Sequence, residues 1–265
     1  MNDNLNEENA PLWQAPPAPL TGKRIVVIGA SGGVGEEIAR ALLAAGANVR
    51  ATGRDGGRLK AFAERMSAAA LPGVFSTSQL DALDPSIDAQ LAQLAADHGP
   101  IDGVVLAVGT WGLLGQGGKP LVHLSDQEWD DLLAGNLTSM FRLLRGLIPL
   151  MNDGGVIVQI NGLSADVPYP TNAVIGATSA GTKSLMMTTS VELGDLGPRL
   201  VELILGVVRT RINPENSLEG YSWLTGTQAG QHVAALLAGT SEFSDETLQY
   251  FLDRHQGPFA ARAAF

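Results

Sequence analysis

A glycine-rich stretch near the start of the chain carries the residues best suited to bind an anion. The run IVVIGASGGVGEEIA follows an apolar strand pattern and leads directly into a helical pattern. Glycine allows tight backbone geometry and close approach to a ligand, and the first N–H groups of a helix are unpaired donors. We expect this turn to hold a pyrophosphate, the alternative being a turn that binds nothing. The predicted contacts are Gly29, Ser31, Gly33, Val34 and Gly35.

The elements that position this turn alternate between strands and helices. Short apolar runs predict strands at 25–28, 48–52, 74–78, 103–108, 156–160, 200–205 and 248–252. Helical patterns lie between them at 58–69, 87–97, 128–151, 173–193 and 229–238. Such a series predicts an α/β fold whose parallel sheet is covered on both faces. A ligand is then expected beyond the carboxyl ends of the strands.

The first 20 residues differ from this pattern, being rich in Asn and Glu and then in Pro. Such a composition does not build a core, so we predict that residues 1–20 form an extension to a domain at 21–265. Trp13, which stands among prolines, is suited to anchor the extension on a neighbouring surface. That surface could belong to a partner subunit, to a lattice neighbour or to the chain's own domain.

Composition excludes several classes of function. The chain has 17 basic and 27 acidic residues and a net charge of −10, which disfavours a nucleic-acid partner. It has no cysteine, which removes disulfides and thiol chemistry and fits a reducing cytoplasm. No apolar run approaches the roughly 20 residues that span a bilayer, so we expect a cytoplasmic protein without a membrane anchor. No metal site is expected, because the histidines lack ligand spacing; they are His98, His123, His232 and His255.

The Gly-x-x-x-Gly-x-Gly spacing at 29–35 resembles the short-chain dehydrogenase/reductase family. That resemblance implies a single Rossmann-type doubly wound domain, with a parallel sheet of about seven strands and a nicotinamide cofactor. Members of this family commonly associate through helices, which here would be 128–151 and 173–193. The resemblance therefore implies an oligomer, with itself or with a related subunit.

Several further residues are expected to contact the cofactor. Arg54 follows the second strand, where a guanidinium pairs with a 2′-phosphate, so NADP(H) is expected rather than NAD(H). The alternative for Arg54 is a solvated side chain that opens a helix. By resemblance, Asp81 meets the adenine ring, Gly109 is the glycine left from the motif after the fourth strand, and Thr210 holds the nicotinamide carboxamide. For Asp81 the alternative is a structural role at a helix start.

The catalytic positions of the family are largely altered in this sequence. The resemblance implies a serine, a tyrosine and a lysine, assisted by an asparagine that Asn136 matches. Ungapped alignment puts Gly162 at the serine, Ile175 at the tyrosine and Ser179 at the lysine. Sliding the register by four residues would place Lys183 at the lysine, but it would misalign Glu192 and lengthen the preceding loop. We therefore predict that Asn136 is the only retained catalytic position, although it could instead be a buried amide that bends its helix.

Three functions remain compatible with these residues. The first is a non-catalytic subunit that accompanies an active member of the family. The second is an atypical enzyme, such as a cyclase, isomerase, lyase or unconventional reductase, that uses Ser164, Tyr169 or Asn136. Ser164, Tyr169, Asn161, Lys183 and His123 are the polar groups expected near the crevice, each with the alternative of an ordinary polar side chain. The third is a conventional ketone reductase, which requires the alternative register.

Overall fold

The apolar runs of the sequence become the strands of one large sheet in a computed structural model that describes residues 11–109, 118–214 and 224–261. The strands are β1 (Arg24–Ile28), β2 (Asn48–Gly53), β3 (Val74–Gln79), β4 (Ile101–Leu106), β5 (Met151–Gly162), β6 (Arg199–Leu205), β7 (Val208–Arg209), β8 (Leu224–Thr225), β9 (Leu248–Phe251) and β10 (Pro258–Ala260). Eight of them form the central sheet in the order β10-β9-β6-β5-β4-β1-β2-β3, and β7 pairs separately with β8.

The predicted doubly wound α/β fold is confirmed, with one correction to the sheet. Seven strands run parallel, and the eighth, β10, returns antiparallel to β9. The sequence pattern predicted about seven strands because β10 has only three residues and begins at a proline. A run that short shows no alternation of apolar and polar residues, so its pairing depends on the neighbouring strand.

The helices cover both faces of the sheet. They are α1 (Gly33–Ala44), α2 (Gly56–Ala68), α3 (Ile87–His98), α4 (Asp126–Leu133), α5 (Ser139–Leu147), α6 (Ala173–Leu193) and α7 (Gly226–Ala238). One buried cluster joins α1, α2 and α7 to one face, and a second joins α3, α5 and α6 to the other. Among the described residues, no helix has the length and apolarity needed to cross a membrane.

The single helix predicted at 128–151 is wrong, because the structure divides it. A π-helical turn at Ala134–Thr138 separates α4 from α5, and β5 already begins at Met151. Ser139, the first residue of α5, donates from its hydroxyl to the Gly135 carbonyl oxygen of this turn at 2.8 Å. Turns of this type insert one extra residue into a helix and are frequent at functional sites. Asn136 lies inside the turn.

Residues 11–20 of the extension lie against the chain's own domain. The Trp13 ring packs edge-on against Phe251 and His232, with centroid distances of 4.9 and 5.8 Å. Its backbone N–H donates to the Arg254 carbonyl oxygen at 2.9 Å. Gly257 leaves the space for the ring, since a Cβ there would lie 2.3 Å from Trp13. Of the three surfaces considered for Trp13, the described contact is the one with its own domain; residues 1–10 lie outside the described part.

Replacing Trp13 by alanine is expected to lower the free energy of unfolding by about 2 kcal/mol, because two edge-on aromatic contacts and apolar burial are lost. Leu12→Ala is the matched control, since the Leu12 side chain is 48% exposed and contributes little burial. Urea unfolding of both variants measures the difference. Equal stabilities for the two variants would contradict the docking of the extension.

Candidate functional site

The glycine turn between β1 and α1 is packed so closely that side chains are excluded. Gly29 has φ of +90°, and a Cβ there would lie 2.3 Å from the Ala107 carbonyl oxygen. A Cβ at Gly35 would lie 2.3 Å from the Gly29 carbonyl oxygen, and one at Gly33 would lie 2.6 Å from Thr210 Oγ1. Backbone packing at the carboxyl ends of β1 and β4 therefore requires Gly29 and Gly35, and the Thr210 side chain after β7 requires Gly33. This packing alone accounts for their identity, whether or not a ligand binds.

The N-terminus of α1 provides the argument for an anion. Gly32 occupies the N-cap position and has no side chain to cap the helix. Within the described part of the chain, the backbone N–H groups of Gly33, Val34 and Gly35 have no hydrogen-bond acceptor. Unpaired N–H groups at a helix start, together with the helix dipole, favour a negatively charged group. The residues present thus fit the diphosphate of a dinucleotide.

Two arginines flank this turn at the end of β2. Arg54 is exposed, and its carbonyl oxygen accepts from Gln79 Nε2 at 2.8 Å. Arg58, in the first turn of α2, donates from Nη2 to the Ser31 carbonyl oxygen at 3.3 Å. Ser31 is buried against Gly53, where a Cβ would lie 2.8 Å from the serine hydroxyl oxygen. Sequence reasoning missed Arg58, because no motif marks an arginine whose place depends on how α2 meets the turn.

Asp81 lies in the turn that follows β3. Its Oδ1 accepts from the Leu83 N–H at 3.0 Å, so part of the carboxylate closes a local turn. The helix-start role belongs to Asp84, whose Oδ1 accepts from the N–H and hydroxyl of Ser86. These hydrogen bonds lower the pKa of Asp84. The Asp81 carboxylate stays exposed beyond the strand end, so its predicted contact with adenine remains a prediction.

The remaining predicted cofactor residues meet near the ends of β4 and β7. A Cβ at Gly109 would lie 3.6 Å from Asn136 Oδ1, so the π-helical turn brings Asn136 next to the strand end. Thr210 is buried over Gly33, and its Oγ1 accepts from the Asn213 N–H at 3.1 Å. The fold therefore brings Asn136 and Thr210 to the same edge of the sheet as the glycine turn.

The three positions that the ungapped alignment assigns to the family's serine, tyrosine and lysine hold Gly162, Ile175 and Ser179, and none of these side chains ionises near neutral pH. Gly162 is the last residue of β5, and Ile175 in the first turn of α6 is only 6% exposed. The Ser179 hydroxyl accepts from the Ser164 hydroxyl at 3.0 Å, which ties the turn after β5 to α6. Tyr169 is half-buried in the loop that leads to α6. The arrangement supplies hydroxyl groups near the strand end, but no phenol and no amine at the two positions that the ungapped alignment gives to the family's tyrosine and lysine.

Comparison with known proteins decides the family. The family model described as short chain dehydrogenase matches residues 23–219. The chain belongs to the short-chain dehydrogenase family. It is 32% identical over 207 residues to (5R,7aS)-5-hydroxy-7a-methyl-1-oxo-2,3,5,6,7,7a-hexahydro-1H-indene-carboxyl-CoA reductase of Mycobacterium tuberculosis, covering 74% of each chain.

Two further similarities involve proteins whose names mention NADP. The chain is 29% identical over 187 residues to an NADP-dependent 3-hydroxy acid dehydrogenase of Salmonella typhi, covering 69% of this chain and 72% of the relative. A metagenomic short-chain oxidoreductase solved in complex with NADP superposes with a TM-score of 0.71 at 29% identity. That superposition covers 89% of this chain and 99% of the other.

Behind the altered positions, this family member has a buried polar network. Asn161 was expected in the loop facing the crevice, but it belongs to β5 and points under α6. Its Nδ2 donates to Glu202 Oε1 at 2.7 Å, to the Ser179 carbonyl oxygen at 2.9 Å and to Thr182 Oγ1 at 3.3 Å. The Asn161 side chain is thus occupied in fixing α6 to the sheet.

Glu202 is fully buried in the centre of β6. Burial raises the pKa of Glu202 to about 8, against the lowering effects of Asn161 and Lys183. Glu202 Oε2 and Gln159 Oε1 have no partner among the described atoms, and the two residues are paired across β5 and β6. A protonated Glu202 carboxyl supplies a donor at a place in the register where each of the two side chains has an acceptor oxygen without a partner. The sequence signal was a single acidic residue inside the apolar run RLVELIL.

Lys183 and Tyr250 both bind Asp166, near the start of the loop after β5. The Lys183 ammonium forms an ion pair with Asp166 Oδ1, and the Tyr250 hydroxyl donates to Oδ2 at 2.9 Å. Burial, followed by the bond to Asp166, raises the pKa of Tyr250 to about 12. Lys183 is therefore held by a carboxylate, and the Tyr250 phenol keeps its proton. Among the described residues, no group of three metal-binding side chains occurs.

The buried Glu202 predicts a measurable pH dependence of stability. Its pKa in the folded chain lies above the ordinary 4.5, so this contribution is fully present below pH 4.5 and is lost as the pH rises through about 8. In that interval Glu202→Gln is expected to remove a slope of up to about 1.4 kcal/mol per pH unit. Urea unfolding at several pH values, with the exposed Glu192→Gln as control, measures it. A Glu202→Gln variant with the wild-type slope would show that the carboxyl is ionised at neutral pH.

Proposed function

We propose that this chain is an NADP(H)-binding subunit of the short-chain dehydrogenase family that lacks the family's acid–base residues and accompanies an active family member. The observation that carries the proposal is that the two α6 positions aligned with the family's tyrosine and lysine hold residues that cannot act as an acid or base. Ile175 is a buried hydrocarbon, and Ser179 is bonded to Ser164. The phosphate-binding turn, by contrast, keeps all of its glycines.

The choice of NADP(H) is supported by charge. The glycine turn offers three unpaired N–H groups to a diphosphate. Arg58 donates to the Ser31 carbonyl oxygen in that turn, and the exposed Arg54 directly follows β2. These cations stand out in a chain with a net charge of −10. Guanidinium groups bind phosphate through paired hydrogen bonds, so a 2′-phosphate would gain more here than a ribose hydroxyl. The NADP named for two similar proteins is consistent with this assignment.

Catalysis by this chain is not expected because no side chain at the aligned positions can transfer a proton. A nicotinamide cofactor, when bound, donates or accepts a hydride, and the chain must then supply or remove a proton. Ile175 cannot exchange a proton, and the Ser179 hydroxyl is too weak an acid to protonate an alkoxide at neutral pH. Removing such a group costs on the order of 10²–10⁴ in rate. Asn136, near Gly109, is an amide and does not replace it.

Exposed apolar side chains on the helices support association with a partner subunit. Large apolar side chains stay exposed on three of the helices that flank the altered site: Trp129 is 39% exposed, Phe141 47% and Val191 82%. They lie on α4, α5 and α6 respectively. Burial of such side chains in a complex is favourable. A family member that retains the tyrosine and the lysine is the partner whose chemistry complements this chain.

Replacing Arg54 by alanine is expected to weaken NADPH binding about tenfold while changing NADH binding less than about twofold, because only the 2′-phosphate loses a partner. Fluorescence titration of both nucleotides measures the change. Lys60→Ala is the matched control, since Lys60 is an exposed cation in α2, the helix that follows Arg54. Parallel losses for both nucleotides would contradict recognition of the 2′-phosphate by Arg54.

The isolated chain is expected to bind NADPH without oxidising it in the presence of aldehydes or ketones. Absorbance at the reduced nicotinamide band measures turnover, and the complex isolated from the native host serves as the positive control. Turnover by the isolated chain that disappears in Tyr169→Phe, but not in Tyr250→Phe, would favour an atypical enzyme. In that case the proposal of a non-catalytic subunit fails.

A further inference from the structure

A buried carboxylate joins two arginines beside the glycine turn. The Glu36 side chain is only 4% exposed and lies in the first turn of α1. Arg65 donates from Nε and Nη2 to its two oxygens at 2.7 Å each. Arg211 donates from Nη2 to Oε2 at 2.9 Å and from Nε to the same oxygen at 3.3 Å. Burial alone would raise the pKa of Glu36, but these hydrogen bonds outweigh it and lower the pKa, so the group stays ionised.

The three residues come from three separate elements. Glu36 belongs to α1 and Arg65 to α2, whereas Arg211 follows β7. Arg211 comes directly after Thr210, which lies so close over Gly33 that a Cβ there would meet its hydroxyl oxygen at 2.6 Å. Segment 208–214 therefore crosses the phosphate-binding turn, and Glu36 holds the guanidinium of Arg211 next to it. Two cations and one anion leave this cluster with a charge of +1.

We propose that Glu36 is a positioning residue that holds Arg211 beside the glycine turn, so that Arg211 binds a phosphate of the cofactor. The inference rests on the proposed NADP(H) binding and extends it to residues outside the glycine motif. Arg211 is about half exposed and uses only Nε and Nη2 in the described ion pair, so its Nη1 group is open to a ligand. The carboxylate that neutralises Arg65 thus also orients the arginine that follows β7.

If the charge of Glu36 acted directly on the cofactor, removing that charge would change the affinity in the opposite direction from the one expected for a positioning residue. This difference makes the proposal testable. A carboxylate close to the diphosphate repels it, so simple removal of the charge would tighten binding. If Glu36 acts by positioning Arg211, its removal leaves that arginine unanchored, and binding becomes weaker. The sign of the change therefore separates the two explanations without reference to catalysis.

The experiment compares Glu36→Gln with the control Glu37→Gln. The control removes the same charge at the next residue, and Glu37 forms no ion pair within the described part of the chain. NADPH affinity is measured by fluorescence titration, and its dissociation rate by stopped flow. Glu36→Gln is expected to raise both the dissociation constant and the dissociation rate about tenfold, because a charge-assisted contact is lost. Glu37→Gln is expected to leave both values within about twofold.

Arg211→Ala keeps the pair between Glu36 and Arg65, so it tests the same inference if Glu36→Gln fails to fold. It is expected to weaken NADPH binding as much as Glu36→Gln does, and the double variant is expected to be no weaker than either single one. Wild-type or tighter binding by Glu36→Gln or by Arg211→Ala overturns the inference and leaves the proposed function standing. Failure of the wild-type chain to bind NADPH overturns the proposed function itself.

Discussion

The structure depends on how closely the backbone packs where β1 turns into α1. Gly29 contacts the backbone after β4, Gly35 contacts Gly29, and Gly33 contacts Thr210 from the segment after β7. Because no Cβ fits at these points, α1 starts directly at the carboxyl edge of the sheet, with N–H groups unpaired. One constraint thus brings the ends of two strands, a helix start and a distant loop to a single point. The phosphate-binding capacity of the chain follows from that packing.

This arrangement separates the two halves of the site. The half near α1 and α2 is built from backbone N–H groups and arginines. Both kinds of group are hydrogen-bond donors that can bind phosphate. The half near α6 is built from side chains, and there Ile175 and the Ser164–Ser179 pair present no ionisable group. The ionisable groups of that region are bound elsewhere: the buried Glu202 accepts from Asn161, and the exposed Asp166 binds Lys183 and Tyr250. They stabilise the contact between α6 and the sheet.

Much of the fold could be predicted because its signals are local. The strand pattern and the glycine spacing specify β1, the turn and α1 within a few residues, since period and turn chemistry are read along the chain. The division of the helix at 128–151 could not be predicted in the same way, because the π-helical turn around Asn136 inserts a single residue and has no sequence motif of its own. The strand β10 was missed because three residues carry no period.

The candidate site shows the same limit. The sequence predicted Arg54 from its place after a strand, but the roles of Arg58, Arg65 and Arg211 depend on contacts between distant segments. Asn161 was expected to face the crevice because it follows an apolar run, whereas its partner Glu202 draws it inward. The one local signal for this network is the charged Glu202 within a buried strand. Its partner Asn161 follows only from the pairing of β5 with β6, which the sequence does not show.

We expect the chain to hold a nicotinamide cofactor at a site with no phenol or ammonium group to transfer a proton. A crystal structure of the chain with NADPH tests this most directly, through the groups found around the nicotinamide ring. The expected structure has the 2′-phosphate beside Arg54 and, near the ring, only Asn136, Ile175, Thr210 and serine hydroxyls. The hydroxyl of Tyr169 or the ammonium of Lys183 within hydrogen-bonding distance of the ring or its ribose would contradict it.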